Sequence, residues 1–168
     1  IERAEPALRQ ARRNLDGLVA HACFLQGDMA ERMRGTFDVV LAGYTLHHLQ
    51  LEAKRRIFGE FSQVLVPGGI AIVYDLVQGP AESREAYLNR ALTYSEARWQ
   101  AFSREELDRI RGHVTQYDYP ESWTTWKSLA RENGFRRASM TFFDPARLFG
   151  FMEFHSCGTA TGCRRRRR

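Results

Sequence analysis

The sequence predicts an α/β fold: a doubly wound, mainly parallel sheet with a helical insertion and a closing antiparallel β-hairpin. Three observations carry that prediction. Phe37 to Leu41 is a near-continuous apolar run, as expected of a strand buried on both faces. A helical pattern, a Pro67-Gly68-Gly69 break and a second apolar run, Ile70 to Val77, follow it in the order of a βαβ unit. Near the end, Arg136 to Phe143 and Leu148 to His155 flank Asp144-Pro145-Ala146-Arg147, a turn that permits a hairpin.

Taken in order, Ala4 to Leu15 reads as the end of an amphipathic helix rich in Arg and Ala. His21 to Leu25 is a short apolar run read as a strand and ended by Gly27-Asp28. After the Gly35-Thr36 break and the Phe37 run come Leu46, Leu49, Ala53, Ile57, Phe61 and Val64 or Leu65. Their spacing of three to four predicts one long helix, with His47 and His48 just inside its start. Pro67-Gly68-Gly69 should stop it, a glycine supplying a left-handed cap. Asp75 falls towards the end of the next strand. Residues 80–133 then turn charged and helical, with helices expected near Ser83 to Trp99, Ser103 to Val114 and Ser122 to Asn133. Ser103 and Glu106 have capping-box spacing, and Gly134 closes the last helix.

A chain of 168 residues suits one domain with a real core. With 43% hydrophobic and 27% charged residues it is neither a disordered chain nor a membrane-spanning one. No apolar run approaches the roughly 20 residues of a transmembrane helix. No signal-peptide pattern is legible, and an odd count of three cysteines suggests a reducing compartment, so a cytoplasmic location is expected. Cys23 reads as a small core residue. Cys157 and Cys163 are too far apart for a Cys-x-x-Cys pair, and no metal is assigned.

The net charge of +5 comes from Arg164 to Arg168; without them acidic and basic residues balance. Residues 156–168 are read as a disordered basic tail. Such an arm could bind nucleic acid weakly, although no aromatic residues interleave with its arginines. The body itself gives no sign of a polyanion-binding face.

FLQGDM, FDVVLAGYTLHHL, LVPGGIAIVYDL and the late ENGF, in this order and spacing, resemble the second half of a class I S-adenosylmethionine-dependent methyltransferase. The resemblance implies a Rossmann-like methyltransferase sheet over about residues 1–155, with 80–133 as an insertion or lid. It implies S-adenosylmethionine as cofactor and, for the acceptor, a small molecule or a modified nucleotide. It also exposes a gap. The family's Gly-rich loop after the first strand and the ribose-binding acid after the second are missing, so the first two strands are expected upstream of Ile1. On this reading the chain is an incomplete and inactive fragment. A permuted enzyme using the glycines of 157–163 is the weaker explanation, since no amphipathic helix follows them.

By the same resemblance, Asp28 accepts a hydrogen bond from the adenine amino group and Met29 packs on the ring; a turn cap is the competing role for Asp28. Ala42, Gly43 and Tyr44 end the fourth strand against the cofactor, Gly43 allowing close approach and Tyr44 either walling the methyl channel or simply packing. His47 and His48 are the candidate catalytic residues, one facing the cleft to take a proton, the other packing or capping. A purely structural helix-start histidine competes with that role, because methyl transfer depends mostly on positioning. Asp75, Arg84, Tyr87 and Tyr117, with Arg90, Tyr94, Tyr119 and Trp123, are candidates for acceptor binding. A different class of function also fits: a non-catalytic α/β binding or interaction module that has lost its cofactor loop.

Overall fold

A computed structural model describes residues 4–15, 22–28 and 33–157. The chain divides into two compact units, Ile1–Arg34 and Gly35–Arg168. In the first, helix α1 (Glu5–Asn14) begins with Pro in its first turn, carries Glu5 there, and has Arg12 and Arg13 in its last turn. Both charge placements complement the helix dipole. The expected strand at His21 to Leu25 does not form: residues 22–25 have no strand conformation, and His21 lies outside the described residues. A strand exists only through its ladder, and the sheet draws all its strands from the second unit. Cys23 is accordingly exposed, not a core residue.

The second unit is built on a sheet of order β1-β2-β5-β4. Its strands are β1 (Phe37–Gly43), β2 (Leu65–Gln78), β4 (Arg137–Phe143) and β5 (Phe149–His155). β1 and β2 are parallel, while β5 runs antiparallel to both β2 and β4. The hairpin is therefore as expected, its second strand inserted beside β2. Asp144 holds the turn, its carboxylate accepting from the backbone N–H groups of Ala146, Leu148 and Phe149. A two-residue strand β3 (Glu121–Ser122) pairs in parallel with the end of β2.

Helix α2 (Leu51–Val64) is shorter than the sequence pattern suggests. Leu46–His48 is a separate 3-10 turn, and extended Leu49 and Gln50 divide the two. The three-to-four spacing survives that break because a 3-10 turn repeats every three residues. At the far end, Leu65 passes straight into β2, so Pro67-Gly68-Gly69 is not a helix cap. It forms a bulge inside β2, where the β1 register jumps from Leu65 to Ile70. Gly69 is required there: a Cβ would lie 2.9 Å from the Asp38 carbonyl.

Helices α3 (Arg84–Glu96), α4 (Arg104–Tyr117) and α5 (Trp123–Glu132) match the expected three. Each starts on a serine whose hydroxyl accepts a backbone N–H, and Ser103 and Glu106 complete the capping box. On one face of the sheet Phe58, Phe61, Trp126, Leu129 and Phe154 are buried, with Phe58 packed against Trp126 and Phe154. The opposite face carries Leu76, Tyr87, Leu88 and Leu148. β1 departs from expectation. Phe37, Val39 and Leu41 are 45%, 52% and 67% exposed on the edge strand of the sheet that the described residues form.

Candidate active site

The site grows from the carboxyl ends of β1 and β2, where ligands sit in open α/β sheets. Gly43 is in register with Tyr74, and the Tyr44 N–H donates to the Tyr74 carbonyl at 2.7 Å. Tyr44 then adopts φ +53°, a left-handed conformation unusual for an aromatic residue. That kink turns the chain out of the strand and into the 3-10 turn. A side chain at Gly43 would meet none of the described residues within 4 Å, so among them the strand end opens on free space.

Asp75 holds the turn. Fully buried, it accepts at Oδ2 from the N–H groups of Leu46 (2.7 Å), His47 (3.2 Å) and Thr45 (3.3 Å). Its Oδ1 accepts from the Leu76 N–H at 2.8 Å and faces His47 Nδ1 at 2.6 Å. The carboxylate thus neutralises the donor-rich start of a turn. The contact engages Nδ1 with Asp75, so Nε2 is the ring nitrogen turned away from that network.

Nε2 looks towards a second acid. Asp118, at the end of α4, is 6% exposed, and its Oδ1 lies 4.0 Å from His47 Nε2 and 3.1 Å from His48 Nδ1. Despite these neighbours, Oδ1 makes no aligned hydrogen bond. Burial pushes the Asp118 carboxyl above its ordinary value, against the pull of both histidines. Burial also pushes His48 below its ordinary value, reinforced by His47. Both directions oppose an ion pair. The His47 and His48 rings sit 4.0 Å apart, and His113 packs edge-on to His48 at 5.6 Å. Tyr44, edge-on to His47 at 4.8 Å, has its phenol pushed up by burial first and by Asp118 and Asp75 next.

The Asp118 segment is fixed from several sides. Arg84 donates to the Asp118 and Thr115 carbonyls, at 2.7 and 2.6 Å. The Tyr119 N–H donates to the His47 carbonyl at 2.6 Å. Lys54, buried in α2, donates to the Tyr119 carbonyl and to Glu121 at 2.8 Å. Burial pushes the Lys54 ammonium below its ordinary range, with Glu121 opposing.

Several acceptor-binding expectations need correction. Asp75 is spent on internal donors and positions the turn. Arg84 is spent on the end of α4. Tyr87 is fully buried and donates its hydroxyl to the Leu148 carbonyl at 2.7 Å, a packing role. Of those four candidates only Tyr117 is exposed, beside His113. His47 is 2% exposed, whereas the His48 side chain is 44% exposed. Ala42 is buried and Gly43 exposed, as befits a strand end. Asp28 is half-buried within the first unit, and Met29 lies outside the described residues, as do Cys163 and the arginine tail. Sequence reasoning missed Asp118, His113 and Lys54. Nothing local marks them, because their partners lie more than sixty residues away or on another element.

Comparison with known proteins now bears on this geometry. Residues 1–69 match the family model described as a methyltransferase domain. A carboxy-S-adenosyl-L-methionine synthase from Hydrogenovibrio crunogenus is 23% identical over 145 residues, 84% of this chain and 57% of that protein. A possible exported protein from Bordetella parapertussis superposes with a TM-score of 0.67 at 19% identity, covering 92% of this chain and 51% of its own.

This is the class I S-adenosylmethionine-dependent methyltransferase fold.

The methyltransferase SibL shares it with a TM-score of 0.65 at 18% identity, over 94% of this chain and 42% of its own. The chain thus spans between 42% and 57% of the length of these three proteins. The methyltransferase fold bears out the Rossmann-like sheet expected from FDVVLAGYTLHHL and LVPGGIAIVYDL. No helix among the described residues is long and apolar enough to cross a membrane.

Proposed function

We propose that the β1–β2 strand ends form part of the cleft of a methyltransferase that moves the sulfonium methyl of S-adenosylmethionine to a small-molecule acceptor. The observation that carries this reading is the Gly43–Tyr44 kink: an open strand end beside β2, at the ligand position of an open α/β sheet. Bound there, the cofactor supplies an activated methyl group, and the protein's task is to orient it and exclude water. Gly43 lets the ligand approach backbone, and Tyr44 walls the space beyond it. His48, the more exposed of the two histidines, is the one that can touch an acceptor, while His47 holds position through Asp75. Tyr117 and the α3–α4 insertion stand as the candidate lid. Asp28 keeps the adenine role implied by the family resemblance and is tested by its own substitution.

No Gly-x-Gly-x-Gly pattern following a strand occurs in these 168 residues, so the methionine end of the cofactor lacks its glycine cradle. The chain by itself should therefore bind S-adenosylmethionine too weakly for calorimetry and transfer no methyl group. Saturation-transfer NMR should still detect a weak contact, and Gly43→Val should remove it. Absence of any saturation-transfer signal, or a signal indifferent to Gly43→Val, would mean that this strand end is not a cofactor site and would favour a non-catalytic module. Micromolar affinity by calorimetry would instead overturn the half-site reading.

A further inference from the structure

We propose that His47, His48 and Asp118 form a binding site for a divalent cation of the zinc type. The three side chains come from two distant stretches of sequence, and one ligand atom from each lies within 4.8 Å of the others. Asp118 Oδ1 is 3.1 Å from His48 Nδ1 and 4.0 Å from His47 Nε2. Two ligand atoms on one zinc ion, with bonds of about 2.0–2.1 Å, are separated by roughly 3.3 to 4 Å. The 4.0 Å separation falls within that range, the 3.1 Å one just below it, and the widest, up to 4.8 Å, above it, so the half-exposed His48 ring must shift to close the site.

Two further observations point to a cation and not to a self-contained hydrogen-bond cluster. Among the described residues the buried Asp118 Oδ1 has two histidine nitrogens before it but no aligned hydrogen bond from either, an arrangement that a cation between them would complete. His47 is the other. Its Nδ1 is engaged by the buried Asp75 at 2.6 Å, which fixes ring orientation and leaves Nε2 as the nitrogen facing Asp118. A carboxylate–histidine pair with the far nitrogen turned towards a second acid is the usual outer support of a metal-bound imidazole. Two imidazoles and one carboxylate suit zinc or cobalt better than magnesium or calcium, which prefer oxygen ligands. Three protein ligands leave a coordination position open, and the half-exposed His48 gives it access to solvent.

The site does not depend on the methyltransferase reading, and its test needs no cofactor. The full chain, stripped with chelator, is titrated with Co2+ while visible absorption is recorded. Ligand-field bands that saturate at one equivalent and are displaced by Zn2+ are expected. His48→Ala and Asp118→Asn should each weaken the metal by more than the ~10–100-fold typical of an outer-support substitution. His48 is half-exposed and Asn is isosteric with Asp, so both variants should fold, which circular dichroism verifies. His155→Gln, at the far end of β5, should leave affinity unchanged. Absence of ligand-field bands would overturn the proposal, and so would bands that persist unaltered in both ligand variants.

Discussion

The Asp75 carboxylate and the His47 ring, twenty-eight residues apart in sequence, meet at 2.6 Å with neither group open to solvent. One acid at the end of β2 thereby sets both the path of the chain after β1 and the orientation of the first histidine. Asp75→Ala would strand the buried N–H groups of Leu46, His47 and Leu76 together with the ring. At ~1–3 kcal/mol for each unsatisfied donor, the loss rivals the whole stability of a small domain. The variant should fail to give a cooperative thermal melt, whereas Asp75→Asn, which keeps one acceptor oxygen, should still melt at a lower temperature.

Trp126 is fully buried against Phe58, yet among the described residues its indole Nε1–H has no partner. Most of its contribution is therefore area and not hydrogen bonding. Trp126→Phe should cost under about 1.5 kcal/mol in urea unfolding, because the orphan donor disappears with the ring. Trp126→Ala should cost about 3–5 kcal/mol. Equal losses for the two would show that the N–H has a partner.

Helix α4 buries no side chain completely, so its start depends on the Ser103–Glu106 box. Ser103→Ala should remove about 1 kcal/mol of local stability. Hydrogen exchange should quicken over residues 104–108 with little change in β2, and uniform quickening throughout the chain would argue against a local cap.

Glu82 accepts from Arg90 at both carboxylate oxygens, 2.8 Å each, and from the Gly79 N–H at 2.7 Å. Chiefly through Arg90, its carboxyl is held below the ordinary 4.5. A depressed carboxyl contributes stability above pH 4.5 and loses it as pH falls through the folded value. Melts across pH 6 to 3 should show that loss, and Glu82→Gln should flatten it.

Among the described residues β1 is an edge strand, and it exposes Phe37, Val39 and Leu41. Such an edge invites association with another chain. Leu41→Lys should raise the monomer fraction in sedimentation without lowering the melting temperature, and unchanged association would place the sticky surface elsewhere.

Features written in neighbouring residues were legible. Ser83, Ser103 and Ser122 each announce a helix a few residues downstream, and all three helices are present. The β5 hairpin follows from Asp144-Pro145, and the sheet from two apolar runs. What failed involved partners distant in sequence. Asp75 reads as a cleft-rim acid until its donors, twenty-eight to thirty residues back, are seen to consume it. Arg84 and Tyr87 look like lid residues until their carbonyl partners at Asp118 and Leu148 appear. The start of α2 was misplaced because a 3-10 turn and an α-helix share nearly the same apolar spacing. The run at 22–25 has strand composition, but composition cannot supply a neighbour to pair with.

The α3–α4 excursion leaves β2 at Gln78 and returns at Glu121–Ser122, which pair with Val77 and Gln78. Its two ends are thus stitched together at the root, with Lys54 and the His47 carbonyl fastening residues 119–121 in place. A detour closed in this way can lengthen at only about 0.6 kcal/mol per doubling without tugging on the strands below. Selection could reshape this annex while His47, His48 and Asp75 beneath it stay where they are.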